Sequence, residues 1–408
     1  MHETAEASEL PLAGLRVIDL THMLAGPYAT MLLADMGADV VKVEPLDGEF
    51  IRHAGPNITD QDSYGGYFQS VNRNKRSLAL DLKTDDGREI FLKLVEHSDA
   101  LVENFRTGVM EKLGFGFEQL RTVNSRLVYG CIRGFGDPRT GASPYLDWPA
   151  YDVIAQAMGG VMEVTGLPDG EPMKTGPGIG DIFPASLLAT GLLAALYAAR
   201  ITGKGRFVDV AMYDAMLSLS ERIVYQHSFS GSVPTRQGNS HPFFEPFGVF
   251  SALDGWVTVA APSDAYWRIL LTRMDRADLI QDPRFAKDAA RNAHRDEVRL
   301  VVAEWTSART TAEIRAALGG HVPFGPVQNI EAILADPHVA ARHMIATVPH
   351  PPSGREVRIA GQPVKFADLP DRPPRPAPTL GQDTELILGG LGYEPDVVEI
   401  LRKKGVLR

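Results

Sequence analysis

Apolar segments of strand length alternate with helix-forming segments through the first half of this 408-residue chain. Runs rich in Val, Leu and Ile predict strands at 15–20, 38–43, 78–82, 100–102 and 127–132. Helices are predicted at 27–36, where Pro27 suits a first helical turn and Gly37 a helix stop, and at 85–96. Because each helix returns the chain to the same edge of the sheet, this order predicts an α/β fold with a doubly wound, Rossmann-like parallel sheet.

The composition changes after an expected strand at 208–210. A hairpin is predicted between 247 and 259 around the turn Asp254-Gly255, since Asp-Gly favours a tight reversal. Helices are expected at 266–274, 295–305 and 311–318. We assign residues 1–225 to the first part of a large domain and 226–330 to a smaller α+β domain with its linkers. The five prolines between 370 and 378 predict an extended, solvated arm that can reach across a partner.

The opening strand–helix–strand unit does not carry a dinucleotide-binding fingerprint. Glu44 ends the second strand, where an acid that binds the ribose would lie. The turn after the first strand, however, contains one glycine, Gly26, where the fingerprint needs three. Binding of a nicotinamide cofactor is therefore disfavoured.

The charge and the cysteine content exclude several classes of protein. A net charge of -10 argues against nucleic acid or an anionic membrane as a main partner, because both are polyanions. The single cysteine, Cys131, excludes an internal disulfide framework and a cysteine-based zinc cluster, and we expect no metal. Its apolar surroundings predict a thiol in a buried strand.

The first residues and the most hydrophobic segment both favour a cytoplasmic protein. Glu3, Glu6 and Glu9 stand where a signal peptide would have a basic and then an apolar region. The segment 182–199 is rich in alanine and interrupted by Pro184 and Ser186, so a buried helix is expected rather than a membrane span.

Asp181 lies between a glycine-rich run at 175–180 and the apolar segment 183–200. This position predicts a carboxylate at the N-terminus of a long buried helix, behind a loop that lets a ligand approach the backbone. Aspartate is a preferred N-cap residue, and it is also a competent nucleophile. Position alone leaves both interpretations open.

Several motifs, in order along nearly the whole chain, resemble those of the class III CoA-transferases. They are His-Met-Leu-Ala-Gly-Pro at 22–27, Asn-Lys-Arg-Ser at 74–77, Glu-Asn-Phe-Arg at 103–106, Gly-Ile-Gly-Asp at 178–181, Pro-Phe-Gly-Pro-Val at 323–327 and Arg-Pro-Ala-Pro-Thr-Leu-Gly at 375–381. The agreement of separate motifs is stronger evidence than any one of them.

The resemblance implies an enzyme that moves coenzyme A from an acyl-CoA thioester to a free carboxylic acid. Asp181 would form a mixed anhydride with the acyl group and then a thioester with CoA, kept ionised by the helix N-terminus and assisted by the glycine amides. CoA enters as acyl-CoA substrate, with no permanently bound cofactor. The resemblance also implies that 331–408 return to the large domain and that two subunits interlock as a homodimer.

The resemblance further implies a set of residues that contact CoA. They are His22, Leu24, Ala25, Arg76, Asn104, Phe105, Lys112 and Tyr151. The 3'-phosphate and pyrophosphate of CoA require positive charge, which Lys112, Arg76 and the neighbouring Lys75 offer. Each of these cations can also be a solvated surface charge, and His22 can be a core histidine that contributes only its backbone.

Asp152 is the second candidate catalytic residue. It either steers the incoming acid or caps a helix that begins at Val153. The related α-methylacyl-CoA racemases carry a His-Asp pair where this chain has Tyr151-Asp152, and tyrosine is a poor base at neutral pH. A transferase is therefore favoured over a racemase-type isomerase, and a CoA-binding protein without turnover remains the third alternative.

The acid substrate is predicted from two departures from the formyl-CoA transferases. These enzymes have glutamine at the position of Leu24 and a tetraglycine loop, where this chain reads Gln-Gly-Asn-Ser-His-Pro-Phe-Phe at 237–244. Oxalate and formate are disfavoured. The larger residues near this loop suit a dicarboxylic acid, with succinyl-CoA as the donor, and they are His241, Phe243, Phe244, Arg222 and Arg236.

Overall fold

A computed structural model of the chain describes residues 9–59 and 63–408. Its centre is a sheet of six parallel strands in the order β3-β2-β1-β4-β5-β6. The strands are β1 (Arg16–Asp19), β2 (Asp39–Glu44), β3 (Arg76–Ala79), β4 (Ala100–Glu103), β5 (Val128–Arg133) and β6 (Phe207–Ala211). The predicted doubly wound parallel sheet is confirmed.

Helices cover both faces of this sheet, because successive residues of each strand point to opposite sides. Ile18 and Val41 face a cluster that includes Leu94 and, from the C-terminal region, Leu401. Their neighbours Val17 and Val40 face the opposite cluster, which includes Leu33, Leu188 and Leu192. The C-terminal region therefore packs on the same sheet that contains β1 and β2.

The chain divides into two compact units. The first comprises the described part of Met1–Val161, together with Thr175–Val224 and His338–Arg408. Its helices are Ala25–Asp35, Gly66–Asn72, Asp85–Glu96, Val109–Lys112, Phe117–Val123, Asp152–Met158, Ile179–Thr202, Met212–Leu219, Thr384–Gly390 and Pro395–Lys403, with a 3-10 turn at Phe50–Arg52. It also contains the hairpin of β10 (Ile345–His350) and β11 (Arg355–Ala360).

The second unit comprises Met162–Lys174 and Tyr225–Pro337, so it begins close to the expected boundary and gains a short segment from earlier in the chain. Its antiparallel sheet contains β7 (Phe247–Ala252), β8 (Gly255–Ala260) and β9 (Phe324–Pro326). Its helices are Asp264–Arg273, Asp288–Ala293, Arg295–Ser307, Thr311–Leu318 and Ile330–Ala335, with 3-10 turns at Met162–Val164 and Ala277–Leu279. Two further helices span the points where the chain leaves one unit and enters the other, and they are Glu221–Ser230 and Pro337–Ala341.

The helix Ile179–Thr202 is long and apolar enough to cross a membrane by length and composition alone. Its buried face, which includes Leu188 and Leu192, instead packs against β5 and the helix Ala25–Asp35. Gly130 of β5 permits this approach, because a Cβ there would lie 2.8 Å from Leu192 Cδ2. The core helix of a soluble protein passes the same length and composition test. The prediction of a buried helix holds for this one face, whereas the opposite face, which includes Tyr197 and Ile201, is exposed.

The proline-rich arm differs from its prediction at its C-terminal end. Residues 370–378 adopt neither helix nor strand, as expected. Ala377 and Pro378 are nevertheless buried, and their carbonyls accept hydrogen bonds from Tyr64 Oη at 2.7 Å and Arg52 Nη1 at 3.1 Å. Because these buried donors need acceptors, this end of the arm is part of its own subunit's core.

Candidate active site

Two cavities lie at the carboxyl edge of the parallel sheet. The larger, about 770 Å³, is lined by the segments that follow β1, β2, β3 and β4. The smaller, about 330 Å³, contains Asp181 in its wall. Both are lined by His22, Met23, Phe105 and Tyr151. The strand order reverses between β1 and β4, and such a switch point is where doubly wound sheets bind ligands.

Asn104 connects the loops that follow β1 and β4. Its side-chain oxygen accepts a hydrogen bond from the His22 amide at 2.9 Å, and its Nδ2 donates to the His22 carbonyl at 2.7 Å. The His22 ring lies edge-on against Phe105, with ring centroids 4.9 Å apart. Burial lowers the pKa of His22, and the positive charge of the nearby Lys42 lowers it further. His22 is therefore neutral at pH 7, and the Asn104 amide positions the His22 backbone.

Phe105 is held on both sides by a buried ion pair. Glu103 Oε2 accepts from the Phe105 amide at 2.7 Å, and Arg133 Nε donates to the Phe105 carbonyl at 3.2 Å. Arg133 also pairs with Glu103 and with Asp137. Burial raises the pKa of Glu103 to about 7, although the positive charge of Arg133 acts to lower it. These contacts fix Phe105 as a rigid wall shared by the two cavities.

Asp181 lies in the first turn of the helix Ile179–Thr202, which begins earlier than predicted. The N-cap residue is Gly178, so the interpretation of Asp181 as the N-cap is wrong. Burial is the main cause that raises the pKa of Asp181 to about 7, and the negative charge of Asp152 is the second. Desolvation and like charge therefore oppose the ionisation that the helix N-terminus was expected to favour.

Asp152 is the first residue of the helix Asp152–Met158, whose N-cap is Tyr151. Its Oδ1 accepts from the Gly180 amide at 2.7 Å, and both carboxylate oxygens accept from Gln156 Nε2 at 2.9 Å. The alternative that Asp152 caps its own helix is therefore wrong. Asp152 instead satisfies an amide in the first turn of the Asp181 helix, and it occupies the Gly180 N–H that was expected to assist the reaction.

Gln156 extends this contact to the glycine-rich loop. It is fully buried, and its Oε1 accepts from the Thr175 amide at 2.9 Å. Gly180 has no space for a side chain, because a Cβ would lie 2.5 Å from the Asp152 carbonyl oxygen. The loop that presents Asp181 is thus held at both ends by the helix Asp152–Met158.

The structure brings together most of the residues that the sequence analysis proposed for CoA. His22, Phe105 and Tyr151 line both cavities, whereas Ala25 and Asn104 line the smaller one. Leu24 is absent from the described lining of either cavity and packs beside Gly178, at the start of the Asp181 helix.

The proposed cations lie elsewhere. Arg76 begins β3, at the opposite edge of the sheet, and pairs with Asp39 at the start of β2. Lys75 is fully buried, and its Nζ donates to Asp19, Asn72 and the Pro27 carbonyl. These contacts contradict a phosphate role for Arg76 and Lys75. Lys112 is exposed at the end of the helix Val109–Lys112, outside the described lining of both cavities.

Several lining residues were not proposed from the sequence, and three of them carry a charged or phenolic side chain that suits a ligand. Lys83 follows β3 and lines the larger cavity, whereas Tyr67 and Arg106 line the smaller one. Burial, followed by the charge of Asp181, raises the pKa of Tyr67 to about 12, so its phenol is protonated at pH 7. Lys83 and Arg106 follow the carboxyl ends of strands, and this position was the signal that could have identified them.

Four of the five residues proposed for the acid substrate, Arg236, His241, Phe243 and Phe244, belong to the second unit and make contacts within it. Arg236 pairs with Glu163, with Nη1 and Oε1 3.1 Å apart. The His241 ring stacks on Phe244 at a centroid distance of 4.9 Å, and its Nδ1 accepts from the Phe243 amide at 3.1 Å. Arg222 belongs to the first unit. In residues 9–59 and 63–408, no group of three or more His, Cys, Asp or Glu side chains could hold a metal ion.

The fold and the cavities define an α/β protein with a ligand cleft at the switch point of a doubly wound sheet. Residues 12–384 match the sequence profile of CoA-transferase family III. The chain therefore belongs to this family and is a CoA-transferase, as the motifs predicted.

Named relatives extend the comparison. Succinyl-CoA:mesaconate CoA-transferase of Haloarcula hispanica is 50% identical over 392 residues, which cover 95% of this chain and 98% of that protein. Succinate–glutarate CoA-transferase of Agrobacterium fabrum is 36% identical over 387 residues, covering 93% and 96%. The crystal structure of a CAIB/BAIF family protein from Brucella suis shares 34% identity, with a TM-score of 0.82 over 94% of this chain and 99% of that one.

Replacing Asp181 with Asn is expected to stabilise the folded protein above pH 7. The pKa of Asp181 is about 7 in the folded protein against an ordinary 3.8, so its contribution to stability falls as the pH rises between these values. At pH 8 the variant should gain up to about 4 kcal/mol in the free energy of unfolding, and the gain should shrink towards pH 4. Urea unfolding at both pH values measures it.

Asp169→Asn is the matched control, because Asp169 is exposed and its replacement removes no buried charge. Its effect should be small and equal at both pH values. An Asp181→Asn variant with the same stability difference at pH 4 and pH 8 would contradict the proposed environment of Asp181.

Proposed function

We propose that this enzyme transfers CoA from a dicarboxylic acyl-CoA, such as succinyl-CoA, to a second dicarboxylic acid, with Asp181 as the residue that carries CoA. The observation that carries the proposal is the position of Asp181, a partly buried carboxylate in a helical first turn and in the wall of the smaller cavity. The names of the Haloarcula and Agrobacterium relatives support dicarboxylic substrates, with mesaconate as one acceptor.

The reaction begins with attack of the Asp181 carboxylate on the thioester carbonyl. The C–S bond breaks, CoA leaves as a thiolate, and an acyl-aspartyl anhydride forms. The thiolate attacks the aspartyl carbonyl, which releases the donor acid and leaves CoA bound to Asp181 as a thioester. The acceptor carboxylate attacks this thioester, and the same two exchanges in reverse order form the new acyl-CoA and restore Asp181. Each activated bond is replaced by another, so ATP is not needed.

The two cavities suit the two ends of acyl-CoA. We assign the nucleotide end to the larger cavity, where Lys83 supplies positive charge, and the thioester to the smaller one beside Asp181. Arg106 lines the smaller cavity and supplies positive charge at the thioester end. Lys112 stays a prediction for the 3'-phosphate, since its exposed side chain lies outside the described linings.

Tyr67 and Asp152 have distinct proposed roles around Asp181. The protonated phenol of Tyr67 suits a donor to an oxyanion or to the acid substrate. Asp152 holds the Gly180 amide and raises the pKa of Asp181, which makes the carboxylate a stronger nucleophile once it ionises. These roles replace the expected donation by the Gly180 amide.

We further propose a cytoplasmic homodimer without a permanently bound cofactor. The outward face of the helix Ile179–Thr202 supports association, because Tyr197 is 71% exposed and Ile201 65% exposed. The interlocked form of the dimer remains an implication of the family resemblance.

The test of this function is chemical trapping on Asp181. Hydroxylamine attacks anhydrides and thioesters and leaves carboxylates unchanged, so with succinyl-CoA present it should convert Asp181 to a hydroxamate and inactivate the enzyme. Borohydride should reduce the thioester to an alcohol and shift the mass of the same peptide. Peptide mass spectrometry measures both changes.

The control is the same treatment without succinyl-CoA, which should leave the peptide unmodified. An enzyme that turns over donor and acceptor, yet stays unmodified under both reagents, would exclude the covalent route. Direct transfer between two bound substrates would then replace it.

A further inference from the structure

Glu49 is a buried acid that lies outside every motif used to identify the family. It precedes the 3-10 turn Phe50–Arg52, and it is 6% exposed. Its Oε2 accepts a hydrogen bond from the Met23 amide at 2.9 Å, and its Oε1 lies 2.7 Å from Lys42 Nζ. Removing a carboxylate and its charged partner from water has a large desolvation cost. The hydrogen bond from Glu49 to a loop amide therefore suggests a role beyond stability.

Met23 has an unusual backbone conformation. Its φ of 67° lies in the left-handed region, which a residue with a side chain adopts only when its surroundings enforce it. Met23 also lines both cavities. The conformation of this one residue therefore shapes the wall between the two spaces.

The Glu49–Lys42 pair holds both ends of the segment that contains Met23. Lys42 Nζ donates to the Thr21 carbonyl at 2.7 Å, whereas Glu49 binds the Met23 amide. Between them, His22 is bound through its amide and carbonyl by Asn104. A strained segment with so many side-chain contacts is preorganised for a ligand.

We propose that Glu49, supported by Lys42, is a positioning residue. It holds Met23 in its left-handed conformation so that one molecule of acyl-CoA can occupy both cavities. This inference rests on the proposed function, because it requires acyl-CoA to occupy both. Glu49 touches the loop and not the reacting atoms, so it acts on binding of acyl-CoA more than on the chemical steps.

A double-mutant cycle in the full-length enzyme tests the proposal. Glu49→Gln exchanges the carboxylate for a neutral acceptor and should raise KM for succinyl-CoA and Kd for CoA about tenfold, with kcat changed less than about threefold. Glycine adopts positive φ without strain, so in a Met23→Gly background the same change should raise both constants less than about threefold. Calorimetry gives Kd, and initial rates give KM and kcat.

Asp35→Asn is the matched control, because Asp35 forms another buried ion pair, with Arg73, outside the described lining of both cavities. It should lower Tm about as much as Glu49→Gln while KM stays unchanged. If Glu49→Gln does not fold, Glu49→Asp keeps the charge, withdraws it from the Met23 amide, and should raise KM similarly.

Three results would overturn the inference. One is a KM for Glu49→Gln no higher than that of Asp35→Asn, and another is an equal rise in both Met23 backgrounds. In either case, wild-type binding and transfer leave the proposed function standing. The third is a wild-type enzyme that binds no CoA, which would overturn the proposed function and this inference with it.

Discussion

Asp181→Asn is expected to reduce CoA transfer by at least about four orders of magnitude, because the amide cannot form the anhydride or the thioester. The substitution is nearly isosteric and removes little buried volume, so the fold should be kept. Steady-state transfer between succinyl-CoA and a second dicarboxylic acid, followed by mass spectrometry of the acyl-CoA products, measures the loss. Binding of CoA alone should change less than about threefold, since the loss lies in the chemistry.

Deamidation is the main source of false activity in this experiment, so the variant's mass must be checked before and after the assay. Asp181→Ala should be equally inactive, and it cannot deamidate. Transfer by an intact Asn variant at a rate near that of the wild type would remove Asp181 from the mechanism.

The pH dependence of transfer should show the unusual ionisation of Asp181. Only the carboxylate attacks, and burial together with Asp152 raises the pKa of Asp181 to about 7. Below this pH, kcat/KM for succinyl-CoA should fall about tenfold per pH unit, so that activity at pH 5 is about 100-fold below that at pH 8. Initial rates over this range measure the profile, with circular dichroism showing that the protein stays folded.

Asp152→Asn separates the two causes of this shift. The variant removes one negative charge beside Asp181 and retains an oxygen that can accept from the Gly180 amide. The acid limb should therefore move to lower pH without disappearing, since burial remains. A profile that is flat from pH 5 to 8 in the wild type, or an unmoved limb in the variant, would contradict this electrostatic account.

The parallel sheet could be predicted from the sequence because the patterns that specify its strands and the helices between them are local. Parallel strands that are covered on both faces are near-continuous apolar runs, and each helix between them has its own start and stop residues. The helix Asp85–Glu96 was predicted at its observed bounds, and β5 was predicted to within one residue. Short helices such as Gly66–Asn72 were missed, because one or two turns carry little periodicity.

The candidate site was predictable only in part. Motif resemblance identified Asp181, His22 and Phe105, and all three line the smaller cavity. It also suggested Arg76, which pairs with Asp39 at the opposite edge of the sheet. The residues next to Arg76 in sequence do not show which carboxylate lies opposite it on the neighbouring strand. Its ion pair with Asp39 could therefore not be predicted.

The sequence by itself determined the class of fold and the family, and it predicted Asp181 as the reactive carboxylate, since these inferences depend on local periodicity and on motifs read in order. Only the tertiary structure decided how that carboxylate is controlled. Asp152 binds the Gly180 amide across 28 positions of sequence, and Glu49 binds the Met23 amide across 26. Such contacts join segments that the packing of the sheet brings together, and burial then sets the energies of their charges.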